Sequence, residues 1–286
     1  MPPLKYHSGQ LAIQDEAQTS MVARQLAHWV GPVAEYAQGA DMILLATVDM
    51  DNVLSFSVLS GKPPLVELRK ESDGLHLYLP SNFSGFPPLI SYYGGLVINL
   101  TNARRARVNG RLMQRDHRYE LETTETFTLC KKYIAPTIAL EDRFHFGPVS
   151  REPIALTDQW LIDRLANAET AFFASLSPES KPDVAHRGGP RGFLQLNPES
   201  RQLTWNEYVG DGVFKSAGNL RVTNKMTLLI PDLETGDGIE LIGHGDYQNL
   251  RESRKQRIDP LVQHHEDFPI QGVITCEIDH AVRLRG

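Results

Sequence analysis

Two short basic segments carry the residue types best suited to hold an anion. The first is His186-Arg187-Gly188-Gly189, and the second, about 28 residues on, is Phe214-Lys215-Ser216-Ala217-Gly218-Asn219. A Lys-Ser pair at the start of a helix offers a charge, a hydroxyl and backbone N–H groups, which together suit a phosphate. An Arg flanked by glycines adds a second cation where the backbone can come close to a ligand. A third segment, Asn102-Ala103-Arg104-Arg105-Ala106-Arg107, is the densest basic cluster of the chain. Taken alone, it is equally a solvated hairpin turn or a ligand contact. Arg107 and Arg111 alternate on a strand, so part of this charge points outward.

Other chemistries find less support. The Gly-x-Ser-x-Gly elbow of a serine hydrolase is missing, and Cys130 has no nearby His in sequence to activate it. His264-His265-Glu266 places its two histidines on opposite faces of a strand, which fits a solvated segment better than a metal site. Asp232-Leu233-Glu234-Thr235-Gly236-Asp237-Gly238 lacks the spacing of a calcium loop and predicts a hairpin. No Gly-x-Gly-x-x-Gly follows a strand, so a dedicated dinucleotide domain is not expected.

The elements that would position the basic segments come in two sets. Laying Ala46-Thr47-Val48-Asp49 over Ala174-Ser175-Leu176-Ser177 gives a register that holds without a gap for about 45 positions. Gly61 then falls on Gly189, Leu68 on Leu196, Leu75 on Leu203 and Phe86 on Phe214. After five extra residues in the second copy, Leu100 meets Leu233 and Gly110 meets Gly243. Each copy reads as short β-prone runs between turn residues: 42–48, 54–59, 75–79, 96–100 and 105–113 in the first, and 171–176, 184–187, 202–206, 226–230 and 239–245 in the second. Strands at this spacing predict an antiparallel barrel or sandwich. One amphipathic helix is expected over 15–36, from Met21, Val22, Leu26, Trp29 and Val30. Another is expected over 157–167, capped by Thr157 or Asp158 and carrying Trp160, Leu161 and Leu165. The expected organisation is therefore mainly β with flanking helices, in two domains, 1–147 and 148–286, with a boundary near Phe146-Gly147-Pro148-Val149.

The copies part company at the chemistry. Where the second has His186 and Arg187, the first has Val58 and Leu59. Where the second has Phe214-Lys215-Ser216, the first has Phe86-Pro87-Pro88, and proline removes the N–H donors. The anion site is thus expected on the second copy alone.

Composition sets the outer limits. With 41% hydrophobic and 22% charged residues, the chain of 286 residues can bury the cores of two ordinary domains. A net charge of −6 argues against a general nucleic-acid binder, which needs a broad cationic field. Cys130 and Cys276 are too few for a disulfide framework or a structural zinc site. No apolar run approaches the roughly 20 residues that span a bilayer, and the first residues lack a signal-peptide core, so no membrane partner is expected and a cytoplasmic location is.

Several of these segments resemble the pyridoxamine 5'-phosphate oxidase-related, FMN-binding split-barrel superfamily, in a subgroup with two split barrels in one chain. They are Tyr6-His7-Ser8-Gly9-Gln10-Leu11-Ala12-Ile13-Gln14, Ala106-Arg107-Val108-Asn109-Gly110-Arg111 and Cys130-Lys131-Lys132-Tyr133-Ile134. In the second copy they are Pro182-Asp183-Val184-Ala185-His186-Arg187-Gly188-Gly189, Gly212 to Leu220 and Asp232 to Asp237. The resemblance covers nearly the whole chain and implies FMN held between barrels. Arg187, Lys215 and Ser216 would then be phosphate ligands. His186, Trp205, Asn206, Glu207 and Asn219 would lie near the ribityl chain or the ring, and Arg105 and Arg107 would reach in from the facing barrel. The oxidase's own Arg-x-Val-Leu-Leu-Lys strand is absent, so vitamin B6 oxidation is not implied. The expected activity is hydride transfer between a nicotinamide donor and a small-molecule substrate, by a homodimer. FAD stands as the alternative flavin. A non-catalytic flavin- or haem-binding protein is the alternative function, with His186, His244 or His145 as axial ligand.

Overall fold

The computed structural model describes residues 4–25, 30–71, 74–83, 92–115, 118–134, 150–250 and 267–286. The expected boundary at 146–149, the prolines 87 and 88, His145 and the 264–266 segment all lie outside these residues.

In the first half, helices α1 (Ser8–Ala17), α2 (Ser20–Gln25) and α3 (Val30–Gln38) precede seven strands. These are β1 (Met42–Val48), β2 (Leu54–Ser60), β3 (Glu67–Lys70), β4 (Leu75–Tyr78), β5 (Tyr92–Asn99), β6 (Arg104–Arg115) and β7 (Arg118–Thr128). The second half opens with β8 (Ser150–Pro153) and α4 (Gln159–Asn167), then β9 (Thr170–Leu176), β10 (Pro182–Gly188), β11 (Gln195–Asn197) and β12 (Gln202–Tyr208). It ends with α5 (Lys215–Thr223), β13 (Lys225–Pro231), β14 (Gly238–Asn249) and β15 (Ile270–Arg285). The sheets run β2-β1-β5-β6-β7-β4-β3 and β10-β9-β13-β14-β15-β12-β11, the same order twice, with β8 added beside β15. Both slip register at the aligned glycines, between Asn109 and Gly110 and between Ile242 and Gly243. The fold is two tandem split β-barrels, all antiparallel.

The expected strands are present, somewhat longer at their ends. Short β3 and β11, and the long return strands β7 and β15, were not expected. They are rich in charged and polar residues, because much of each lies at a sheet edge or on a wet face. The 232–238 segment is the predicted hairpin turn, with the Asp232 N–H donating to the Asp237 carbonyl at 2.7 Å. Asp158 caps α4 by accepting the Trp160 N–H.

The single helix expected over 15–36 is corrected. The chain leaves α1 at Gln18, which takes a left-handed conformation, and Thr19 turns its hydroxyl to the Gly212 carbonyl at 2.9 Å. A left-handed cap at Gln18 closes the helix, with the Gln18 and Thr19 N–H groups donating to the Asp15 and Gln14 carbonyls at 3.1 and 2.8 Å, and helical periodicity does not register such a cap. Sequence order would also group α1 with the first barrel, yet it packs on α5 of the second.

Strands β1 and β9 read as unbroken apolar runs because both of their faces are buried. Ile43 and Leu45 enter the first barrel's core, whereas Met42, Leu44 and Ala46 face the other way. Phe173 enters the second core, and Phe172, Ala174 and Leu176 face outward. The outward sets meet in one cluster shared by both barrels, with Phe56, Leu96, Val184 and Leu229. At the contact, a Cβ on Gly94 of β5 would stand 2.5 Å from the Pro182 carbonyl carbon of β10. Only glycine lets these two strands come so close. The approach brings β6, the neighbour of β5, opposite the start of β10.

Candidate functional site

Two of the three basic segments converge from the second barrel, and the third meets them from the first. Arg105 and Arg107 (β6), Asn206 and Glu207 (β12), His186 and Arg187 (β10) and Phe214, Lys215 and Ser216 (start of α5) line one cavity of about 100 Å3. Both barrels of the one chain thus contribute to its walls.

Behind the lining, bonded to two of its residues, lies Asp183, 2% exposed. Its carboxylate accepts from Arg107 Nη1 at 2.6 and 2.7 Å, from Asn109 Nδ2 at 3.0 Å and from Ser216 Oγ at 3.2 Å. Burial alone would push the Asp183 carboxyl up, but Arg107, Lys215 and these hydrogen bonds outweigh it and hold it below the usual range. Lys215 Nζ pairs with Glu125 of β7 at 2.7 Å. Arg187 Nε pairs with Glu207 at 2.5 Å, and Glu207 also accepts from Trp205 Nε1 at 2.9 Å. Arg105 has a different arrangement. It donates to His186 Nδ1 at 2.7 Å and to the Lys132 carbonyl at 2.8 Å.

Four cations against the three carboxylates paired with them leave this set at +1, and Asp211 on the wall balances that charge. An entering anion therefore competes for donors already in use. Donor capacity nonetheless remains: Arg107 Nε and Nδ2 of the buried Asn206 have no hydrogen-bond partner among the described residues. Phe214 starts α5 from a left-handed conformation with no side-chain cap, so the helix's first N–H groups are not covered by a side chain. Arg, Lys, Ser and a helix N-terminus are a donor set that fits a phosphate monoester. The enclosed volume is below the roughly 300 Å3 at which small-molecule pockets begin. A ring system attached to that phosphate would sit at the mouth, where Tyr133 and Tyr208 stand with ring centroids 5.5 Å apart.

Burial, then Arg105 and Arg187, keep the His186 imidazole far below its ordinary pKa, hence neutral. A guanidinium can only donate, so Nδ1 accepts and the ring proton sits on Nε2, 3.5 Å from Thr170 Oγ1.

Several expected site residues sit elsewhere. Trp205 is 1% exposed in the second barrel's core and is not part of the cavity lining, because strand alternation turns it inward beside Phe173. Asn219, one turn into α5, faces α1 and binds His7, Gln10 and Ser175. Gly188 does line the cavity and Gly189 does not, and each lacks a Cβ where the protein's own chain comes close. A Cβ at Gly188 would lie 1.7 Å from the Tyr133 carbonyl oxygen, and one at Gly189 would lie 2.6 Å from the Phe193 ring. His244 is exposed on β14, 3.3 Å from Asp279, away from the cavity. Both cysteines are free, and Cys130 lines the cavity, with its sulfur 3.9 Å from Arg105. Among the described residues there is no cluster of three metal-ligating side chains and no helix long and apolar enough to cross a membrane.

Residue chemistry in sequence missed Asp183, Asn109, Glu125 and Tyr133. Asp183, Asn109 and Tyr133 lay within segments that drew attention and Glu125 on the unexpected β7, but none is of the cationic or Ser/Thr hydroxyl type that a search for anion ligands selects.

Strand order and the paired barrels define the class: a tandem split-barrel protein with a cavity lined by basic side chains from both barrels. No family model and no curated protein matches the chain. Solved structures similar to it include HupZ of Group A Streptococcus, at 16% identity over 44% of this chain and 92% of that one, TM-score 0.32. A protein described as a putative pyridoxamine 5'-phosphate oxidase from Lactobacillus delbrueckii is 16% identical over 43% and 91%, TM-score 0.33. HutZ, a haem storage protein from Vibrio cholerae, is 13% identical over 46% and 96%, TM-score 0.29.

Proposed function

We propose that the chain is a flavoprotein that holds FMN by its phosphate in the inter-barrel cavity and works as an oxidoreductase on a small-molecule substrate. The observation that carries this reading is the convergence of Arg105 and Arg107 from one barrel with Arg187, Lys215 and Ser216 from the other. The phosphate would take its hydrogen bonds from Arg107, Arg187, Lys215, Ser216 and the first turn of α5. Tyr133 and Tyr208 would border the ring. A bound flavin supplies hydride and single-electron chemistry, and the protein's share is to place it and exclude water. With no dinucleotide domain in the sequence, a nicotinamide donor would dock transiently over the flavin. FAD would extend its second phosphate and adenosine beyond the mouth, so FMN fits the small cavity better.

Haem is disfavoured by the state of His186. A haem iron needs a bare imidazole nitrogen, whereas Nδ1 here is occupied by Arg105 and Nε2 carries the proton.

The test is an absorbance and fluorescence titration of the purified protein with FMN, beside a Lys215→Ala/Arg187→Ala double variant. Saturable binding by the parent, weakened at least about 100-fold in the variant, is expected from the loss of two charge-assisted contacts. A parent that leaves FMN unperturbed, or a variant that binds as well, would overturn the reading.

A further inference from the structure

The N-terminal segment, residues 6–19, is bound to the loop that carries the anion-binding turn, although some 200 residues separate them in sequence. Gln14, fully buried, donates from Nε2 to the Val213 carbonyl at 2.8 Å. Gln10, also buried, donates from Nε2 to the Lys215 carbonyl at 3.4 Å and to Asn219 Oδ1 at 3.0 Å. Thr19 donates to the Gly212 carbonyl. His7 caps α1 by accepting the Gly9 N–H on Nδ1, which leaves the proton on Nε2 to donate to Asn219 Oδ1 at 2.8 Å. Helices α1 and α5 cross in backbone contact. A Cβ on Gly218 would lie 2.4 Å from the Gln10 Cα, and one on Gly9 would lie 2.6 Å from the Gly218 carbonyl oxygen.

These bonds have a directional consequence. A trans peptide is planar, with its N–H opposed to its C=O. Fixing the carbonyls of Val213 and Lys215 against the strap therefore fixes the N–H groups of Phe214 and Ser216 to point the other way. Buried glutamines are costly in a core unless their amides are used. Both Nε2 groups donate to this loop and Gln10 Oε1 accepts the His7 N–H, whereas Gln14 Oε1 has no partner among the described residues. Leucine at 10 or 14 would fill similar space and leave the loop carbonyls without their donors.

We propose that this segment is a positioning strap for the anion site, with Gln10 and Gln14 as positioning residues that orient the 212–216 backbone toward a ligand phosphate. The proposal rests on the flavin reading for the identity of the ligand, but not for the strap itself. The experiment uses the full chain with Gln14→Leu and Gln10→Leu, titrated with FMN and with riboflavin, which lacks the phosphate. The expected result is an FMN affinity lowered about tenfold, as for the loss of one or two hydrogen bonds, with riboflavin affinity within about twofold of the parent's. Equal losses for both ligands would mean a merely structural role, and no loss for either would mean none; both overturn the proposal. Amide hydrogen exchange provides a second arm without flavin. Residues 213–219 should exchange faster in the variants while β9 and β10 are unchanged, and unchanged exchange at 213–219 overturns the strap. If the parent binds no FMN, the flavin reading falls and this arm alone decides.

Discussion

The Arg105–His186 pair shows how a cation and a histidine share a buried site: the imidazole stays neutral and serves as acceptor. This has a consequence for stability. The folded pKa of His186 is depressed by burial and by the two arginines, whereas the unfolded value is ordinary, near 6.5. Below that value the unfolded chain binds a proton that the folded one refuses, so the contribution is present above pH 6.5 and is lost as pH falls. Between pH 7.0 and 5.5 the loss from this one group is on the order of 1 kcal/mol. His186→Asn keeps an acceptor for Arg105 without a titrating ring. Urea unfolding of parent and variant at both pH values should show the parent losing that much more; parallel losses would mean His186 is not held neutral.

At the level of elements, the site depends on how closely β5 of one barrel crosses β10 of the other. Gly94 sets that distance, and the crossing puts Arg107 within reach of Asp183. Gly94→Ala puts a methyl carbon against the Pro182–Asp183 peptide, where backbone rather than a flexible side chain must give way. A cost of about 1–3 kcal/mol is expected from overpacking, read as a lower urea midpoint. FMN affinity should fall with it, because β6 moves away from β10. A variant of parental stability and affinity would show that the barrels can shift apart freely. Sequence pattern foresaw most strands and the α5 start at Lys215, since period-2 runs and turn residues are local signals. It did not foresee the break at Gln18, where a left-handed residue other than glycine caps α1 and Thr19 then bonds Gly212.

For the whole molecule, the tandem arrangement gives one chain both walls of the site. The cavity takes a wall from each barrel of one chain, and the homodimer expected from sequence would set two such cavities side by side. The pseudo-equivalent position is not a second copy of the site. With Gly110 laid on Gly243, Arg107 falls on Glu240, which is fully buried, accepts the Phe56 N–H at 2.9 Å and pairs with Arg151. A carboxylate there repels the phosphate that an arginine would attract. One FMN per chain is therefore expected, with an affinity that does not change on diluting the protein through any dimer dissociation. Isothermal titration and analytical ultracentrifugation read both; two sites per chain, or one per two chains, would refute the intrachain site.

By itself the sequence determined the class of fold, the double set of strands, and which copy keeps its cationic and hydroxyl donors, because these follow from local periodicity and residue type. Tertiary structure alone decided which of those donors meet. Arg105 and Arg107 could have been a solvated turn until the crossing at Gly94 buried them against Asp183 and His186. Trp205 and Asn219 were removed from the site by the direction their side chains take once strand and helix are packed. Buried charge is stable only beside its counter-charge, and the carboxylates that hold this cluster together lie on strands that sequence order keeps far apart.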